Sequence, residues 1–157
     1  MASVGVRARR ATKSARETEE LGAALADEVR EGGVVLLTGE LGSGKTCFIR
    51  GLVRALEGGE GVRVRSPSFT LVHFYPTTPP AAHVDLYRIG AEEDLETLGL
   101  EELFSAPGRV VLVEWADRLG AWRPEGALEV QLEHRGADRR EVWIKGPADS
   151  PEPPPRC

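Results

Sequence analysis

The sequence predicts an α/β domain with three layers, α/β/α, around a mixed central sheet. Three observations carry this. An apolar run, Val34-Val35-Leu36-Leu37, leads into the glycine-rich stretch Gly39 to Thr46, after which Cys47, Phe48, Ile49, Leu52, Val53 and Leu56 recur at helical spacing. A second apolar run, Val110 to Val113, ends in Glu114. The stretches Leu71–Leu86 and Leu128–Ile144 read as hairpins, so antiparallel strands are expected beside parallel ones.

At 157 residues the chain fits one domain. We assign that domain to residues 1–146 and a Pro-rich, disordered tail to 147–157. A formal charge of −5 argues against broad, charge-driven binding of nucleic acid by this chain alone. The two cysteines, Cys47 and Cys157, form neither a disulfide framework nor a zinc spacing, which points to a reducing cytoplasm. No stretch resembles a signal peptide or reaches transmembrane length, so no membrane association is expected.

The elements follow in order. Val4 to Ala11 suits a short edge strand. Ser14 and Glu17 form a capping box that opens an amphipathic helix through about Val29, carrying Leu21, Leu25 and Val29. Gly32-Gly33 ends it. The strand Val34–Leu37, the glycine loop and a helix to about Leu56 come next, stopped by Gly58-Gly59. Thr70 to Tyr75 reads as a strand, 76–80 as a turn and Ala82 to Leu86 as the returning strand. Glu92 to Leu98 reads as a short acidic helix ended by Gly99, with one more helical turn over Leu100–Phe104. The strand 109–114 precedes a last hairpin, in which Leu128, Val130 and Leu132 face Val142 and Ile144 across a turn at Gly136-Ala137-Asp138.

The chemistry is concentrated in Gly39-Glu40-Leu41-Gly42-Ser43-Gly44-Lys45-Thr46, which is G-x-x-x-x-G-K-[ST] between a strand and a helix. The glycines let backbone N–H groups turn toward phosphate oxygens, and the following helix adds its positive end. Lys45 can reach the β- and γ-phosphates, and the Thr46 hydroxyl can serve Mg²⁺. This makes the domain a P-loop NTPase. Such a site needs a carboxylate at the end of the neighbouring strand, and Glu114 is placed for it. Asp85 is a second candidate. Which of the two is the main metal ligand stays open. His83 shares a strand face with Asp85, either ordering that carboxylate or packing in the core. Arg88 could approach the phosphates or lie at the surface. Trp122 and Trp143 read as packing residues.

Four motifs in order resemble the TsaE family (also called YjeE), small bacterial ATPases needed for threonylcarbamoyladenosine modification of tRNA. They are the phosphate loop, Ser66-Pro67-Ser68-Phe69-Thr70-Leu71-Val72, His83-Val84-Asp85-Leu86-Tyr87-Arg88, and Glu114-Trp115. Ser68 stands where the family usually has Thr, and Ala116 where Pro is common. The resemblance implies that Gly39 to Cys47 bind the phosphates of ATP and that Lys45, Asp85 and Glu114 are catalytic. It implies that Thr46, Asp85 and Glu114 serve Mg²⁺, and that Ser66, Pro67 and Ser68 form a loop sensing the γ-phosphate. It places Trp115 beside the nucleotide, and Ser14 and Arg139 on its base or sugar side. It further implies ATPase activity that is weak alone and raised by a TsaD–TsaB partner complex, with tRNA contacted indirectly or weakly. Two other readings stay open: a small-molecule kinase on the same fold, and a nucleotide-gated binding module with incidental hydrolysis.

Overall fold

The computed structural model describes residues 4–67, 71–90, 95–96 and 98–147. Its strands are β1 (Val4–Thr12), β2 (Gly33–Thr38), β3 (Val72–Tyr75), β4 (Ala81–Asp85), β5 (Val110–Glu114), β6 (Leu128–His134) and β7 (Arg140–Pro147). Its α-helices are α1 (Ala15–Leu25), α2 (Lys45–Ala55) and α3 (Leu100–Ser105). The strands form one sheet in the order β1-β7-β6-β2-β5-β4-β3. β2 runs parallel to β5 and β6, and β4 parallel to β5. The pairs β1–β7, β6–β7 and β3–β4 are antiparallel. The predicted mixed sheet and both hairpins are present.

Alternation along the central strands divides the core in two, because successive side chains point to opposite faces. Val35 and Leu37 of β2 and Val110 and Leu112 of β5 join Phe48, Ile49, Leu52 and Leu25 under α1 and α2. Leu36, Val111 and Val113 face the other way, toward Leu100, Leu103 and the 3₁₀ segment Ala116–Trp122. The sheet is therefore buried on both faces, which is why its central strands are continuous apolar runs. The first layer is unusually close. A Cβ on Gly51 would overlap the carbonyl of Glu19, and one on Gly22 the carbonyl of Phe48, so α1 and α2 meet backbone to backbone.

Local chemistry sets the element ends. Ser14 Oγ accepts from Glu17 N at 3.1 Å, while the Glu17 carboxylate accepts from Lys13 N at 3.1 Å, one residue before the expected partner of the capping box. The predicted helix to Val29 is α-helical only to Leu25 and finishes as a 3₁₀ turn, Ala26–Val29. The strand expected from Thr70 begins at Val72, because Leu71 has φ of 66° and turns the chain into it. β7 extends through Pro147, which pairs with Val4. Of the tail expected over 147–157, residues 148–157 lie outside the described residues, as do 92–94 and 97 of the expected acidic helix.

Candidate nucleotide-binding site

Parity along the strands selects the site. Glu114 falls in phase with Val110 and Leu112, and His83 and Asp85 fall in phase with Ala81, so all three point to the α1/α2 face. Asp85 is the register partner of Glu114, and Leu37, at the end of the loop strand, pairs with Glu114 from the other side. The carboxyl ends of β2, β4 and β5 thus bring two carboxylates under the start of α2. Ligands of open α/β sheets bind at such an edge.

The loop needs glycine for a steric reason. At Gly39 (φ 150°) a Cβ would overlap Ser43 Oγ and crowd the Leu132 carbonyl. Gly44 caps α2 at φ 104°, in the left-handed region. Lys45 leaves α2 and folds back over the loop. Its ammonium donates to Gly39 O at 2.6 Å and Glu40 O at 2.9 Å, and lies 4.2 Å from the centre of the Trp115 ring. Burial pushes its pKa below the ordinary lysine value, against the opposing pull of Glu114, Asp85 and Asp117. Leu41, at the loop tip, is 75% exposed.

Thr46 Oγ1 donates to Glu114, 3.0 Å from each carboxylate oxygen. Glu114 Oε2 also accepts from His83 Nε2 at 2.6 Å. Sequence spacing pairs His83 with Asp85, on the same strand. The structure instead aims its ring across to β5, where Glu114 is the nearer carboxylate. On the far side of the ring, His83 Nδ1 meets Tyr75 OH at 2.9 Å. Asp85 is occupied elsewhere: Oδ1 accepts from Tyr87 N at 2.8 Å, and Oδ2 from the Ser66 hydroxyl. It thereby ties the Ser66-Pro67 segment to the turn after β4. Ser68 lies outside the described residues, and Pro67 O accepts from Leu71 N at 2.7 Å.

Trp115 has φ of 59°, which turns its ring away from β5 and over the loop. Tyr87 packs on it with ring centres 4.9 Å apart, and Arg118 lies 5.3 Å from the same ring while donating to the carbonyls of Tyr87 and Ile89. Together these groups enclose a cavity of about 460 Å³, lined by Gly42, Gly44, Lys45, Thr46, Asp85, Glu114 and Trp115 among others, with exposed Arg88 at its rim. That volume lies within the usual range for a small-molecule pocket. A second cavity, about 480 Å³, opens beyond Gly39, Glu40 and Trp115 toward Gln131 and Glu133.

Ser14 caps α1 through its Oγ, and the residue four on, Thr18, brings a methyl within 3.7 Å of where a Gly44 Cβ would sit. Arg139 sits in the exposed turn between β6 and β7. Its neighbour Arg140 brings Nε within 3.6 Å of the same point. Sequence reading passes over Arg140, Thr18 and Tyr75. Alternation places only one of two adjacent arginines toward the loop, and no spacing rule says which without the register of β7. Cys47 Sγ donates to Ala15 O at 3.2 Å, and burial raises its pKa.

The donor set fits Mg²⁺ with a nucleotide. Magnesium takes hard oxygen ligands, with one or two from protein and the rest from phosphates and water. A hydroxyl and a 3% exposed carboxylate in contact at the mouth of a phosphate loop supply those two. Among the described residues no cluster of three or more His, Cys, Asp or Glu forms a cage that would hold a metal by itself.

The family profile of the threonylcarbamoyl adenosine biosynthesis protein TsaE matches residues 12–142. The chain is 33% identical over 133 residues to the tRNA threonylcarbamoyladenosine biosynthesis protein TsaE of Treponema pallidum, covering 85% of this chain and 96% of that one. It is 36% identical to the protein of that name from Bacillus subtilis, covering 83% and 80%. The crystal structure of YdiB from Bacillus subtilis superposes with a TM-score of 0.74 at 29% identity, over 95% of this chain and 89% of that one.

Proposed function

The chain belongs to the TsaE family, and from that premise we propose that it is an ATPase whose turnover supports threonylcarbamoyladenosine modification of tRNA. The observation that carries the ATPase reading is the contact of Thr46 with Glu114 beneath a complete phosphate loop. Loop amides and the start of α2 receive the phosphates. Lys45 gives up its hold on the Gly39 and Glu40 carbonyls for the β- and γ-phosphate oxygens, a stronger attraction for a buried ammonium. Mg²⁺, when bound, neutralises charge on those oxygens. Thr46 and Glu114 would hold it. Asp85 holds Ser66 and would help order the attacking water. In-line attack then releases phosphate.

The transfer of threonylcarbamoyl to adenosine would belong to a partner complex of TsaD with TsaB, which this chain would bind and reset, in the cytoplasm where tRNA is modified. Among the described residues no helix is long and apolar enough to cross a membrane. Reconstitution tests the reading. Modified tRNA should accumulate over many turnovers with TsaD, TsaB and wild-type chain, and stop near a single turnover with Glu114→Gln. Equal accumulation with both would leave a nucleotide-gated binding module. An acceptor-dependent phosphorylated product would make the protein a kinase.

A further inference from the structure

His83 is fully buried, its relative exposure 0%, yet it sits among polar partners only at its two nitrogens. We propose that His83, steered by Tyr75, is the positioning residue that fixes the Glu114 carboxylate for metal and nucleotide. This rests on the ATPase reading above and names a residue that reading does not use.

Geometry carries it. An ionised Glu114 only accepts, so the 2.6 Å contact puts the hydrogen on Nε2, as both the imidazolium and the neutral Nε2–H tautomer do. Thr46 lies equally far from both oxygens of Glu114, so its contact leaves the carboxylate plane free to rotate about the line joining them. The second bond, from His83 to Oε2, stops that rotation. A glutamate has three rotatable side-chain bonds, and holding it in one rotamer without a partner costs entropy. His83, which does not line the cavity, removes that freedom while Glu114 stays in the lining beside Thr46. Tyr75 OH at Nδ1 fixes the ring plane in turn, and the Arg65 carbonyl lies 3.4 Å beyond the phenol. The chain Thr46–Glu114–His83–Tyr75 therefore runs from the start of α2 through β5 and β4 to the edge strand β3. Outer-shell partners of this kind are commonly worth about 10- to 100-fold in metal affinity or activity.

The test compares His83→Gln, which can keep an N–H near the position of Nε2, with His83→Met, which keeps much of the volume and donates nothing. Two quantities are read on each: kcat for ATP hydrolysis, and the Mg²⁺ concentration that half-saturates enhancement of ATP binding, followed by tryptophan fluorescence. His83→Met is expected to lower kcat about 10- to 100-fold and raise the half-saturating Mg²⁺ about 10-fold, with Mg²⁺-free ATP affinity within about threefold. His83→Gln should recover most of both. Equal impairment by Gln and Met, or Met indistinguishable from wild type, would overturn the proposal and make His83 a packing residue. If His83→Met does not fold, Tyr75→Phe takes its place: a several-fold rise in half-saturating Mg²⁺ is expected, and no change overturns. Wild-type protein that does not hydrolyse ATP would sink the ATPase reading, while the Mg²⁺ titration would still judge His83.

Discussion

Thr46 and Glu114 are 68 residues apart in sequence, and the hydroxyl of one lies 3.0 Å from both carboxylate oxygens of the other. The first stands at the start of α2 and the second at the end of β5. Their meeting needs β2 and β5 to be adjacent and parallel, with Leu37 opposite Glu114. A phosphate loop alone would bind an anion. On the proposed ATPase reading, the added carboxylate would help hold a divalent cation.

Glu114→Gln keeps the volume and loses the charge. ATP affinity without metal is expected to hold within about threefold, while kcat falls by about 10²- to 10³-fold, the scale on which preorganised charged groups act. Single-turnover hydrolysis and fluorescence binding separate the two effects. Loss of binding in step with turnover would make Glu114 a structural residue.

Lys45→Met should abolish nucleotide binding, by at least about 100-fold, with the fold intact. The lysine is 4% exposed and its charge is disfavoured by burial, so its removal relieves desolvation even as the Gly39 and Glu40 carbonyls lose a donor. Titration calorimetry with ATP and a thermal melt check both halves. A collapsed melting transition would show the lysine to be a keystone of the loop itself.

Gly51→Ala sets helix propensity against packing. In an isolated helix the change stabilises by about 1 kcal/mol. Here the added methyl overlaps the Glu19 carbonyl of α1, a backbone atom that cannot swing aside. Overpacking of this kind costs roughly 1–3 kcal/mol, and more against backbone. The melting temperature should drop, by roughly 2–4 °C for each kcal/mol of net destabilisation in a domain of this size. An unchanged or higher value would mean that α1 and α2 can part freely.

Much of this site is legible in the sequence. The loop, Glu114 and Asp85 each follow an apolar strand, but the period of two sorts faces only within a strand, and it is the Asp85–Glu114 register that puts both carboxylates on one face. What sequence does not supply is strand order. That order decides that His83 meets Glu114 and not Asp85, since the nearer carboxylate lies on a neighbouring strand. The Arg139–Arg140 pair shows the same limit one residue at a time. Trp115 is expected beside the site, but its left-handed backbone, which swings the ring over Lys45, has no signal in a residue type that rarely adopts it.

Tyr75 gives a prediction with pH. Burial pushes its phenol from 10.0 up to about 12. As pH rises the unfolded chain loses this proton first, so the unfolded state is favoured progressively between those values. The stabilisation is fully present below pH 10 and is lost as pH passes through about 12. Tyr75→Phe has no such proton, and its melting temperature should fall less steeply than wild type over that window. Parallel curves for the two proteins would contradict a buried, neutral phenol.

The most direct test is the steady-state ATP turnover of the purified chain against Mg²⁺ concentration, wild type beside Glu114→Gln, alone and with TsaD, TsaB and tRNA. The expected result is slow, Mg²⁺-dependent hydrolysis by wild type, raised by the partner complex and lost in the variant. Turnover that ignores Mg²⁺, or that survives in Glu114→Gln, would contradict the assignment of the Thr46–Glu114 pair as the centre of an ATPase.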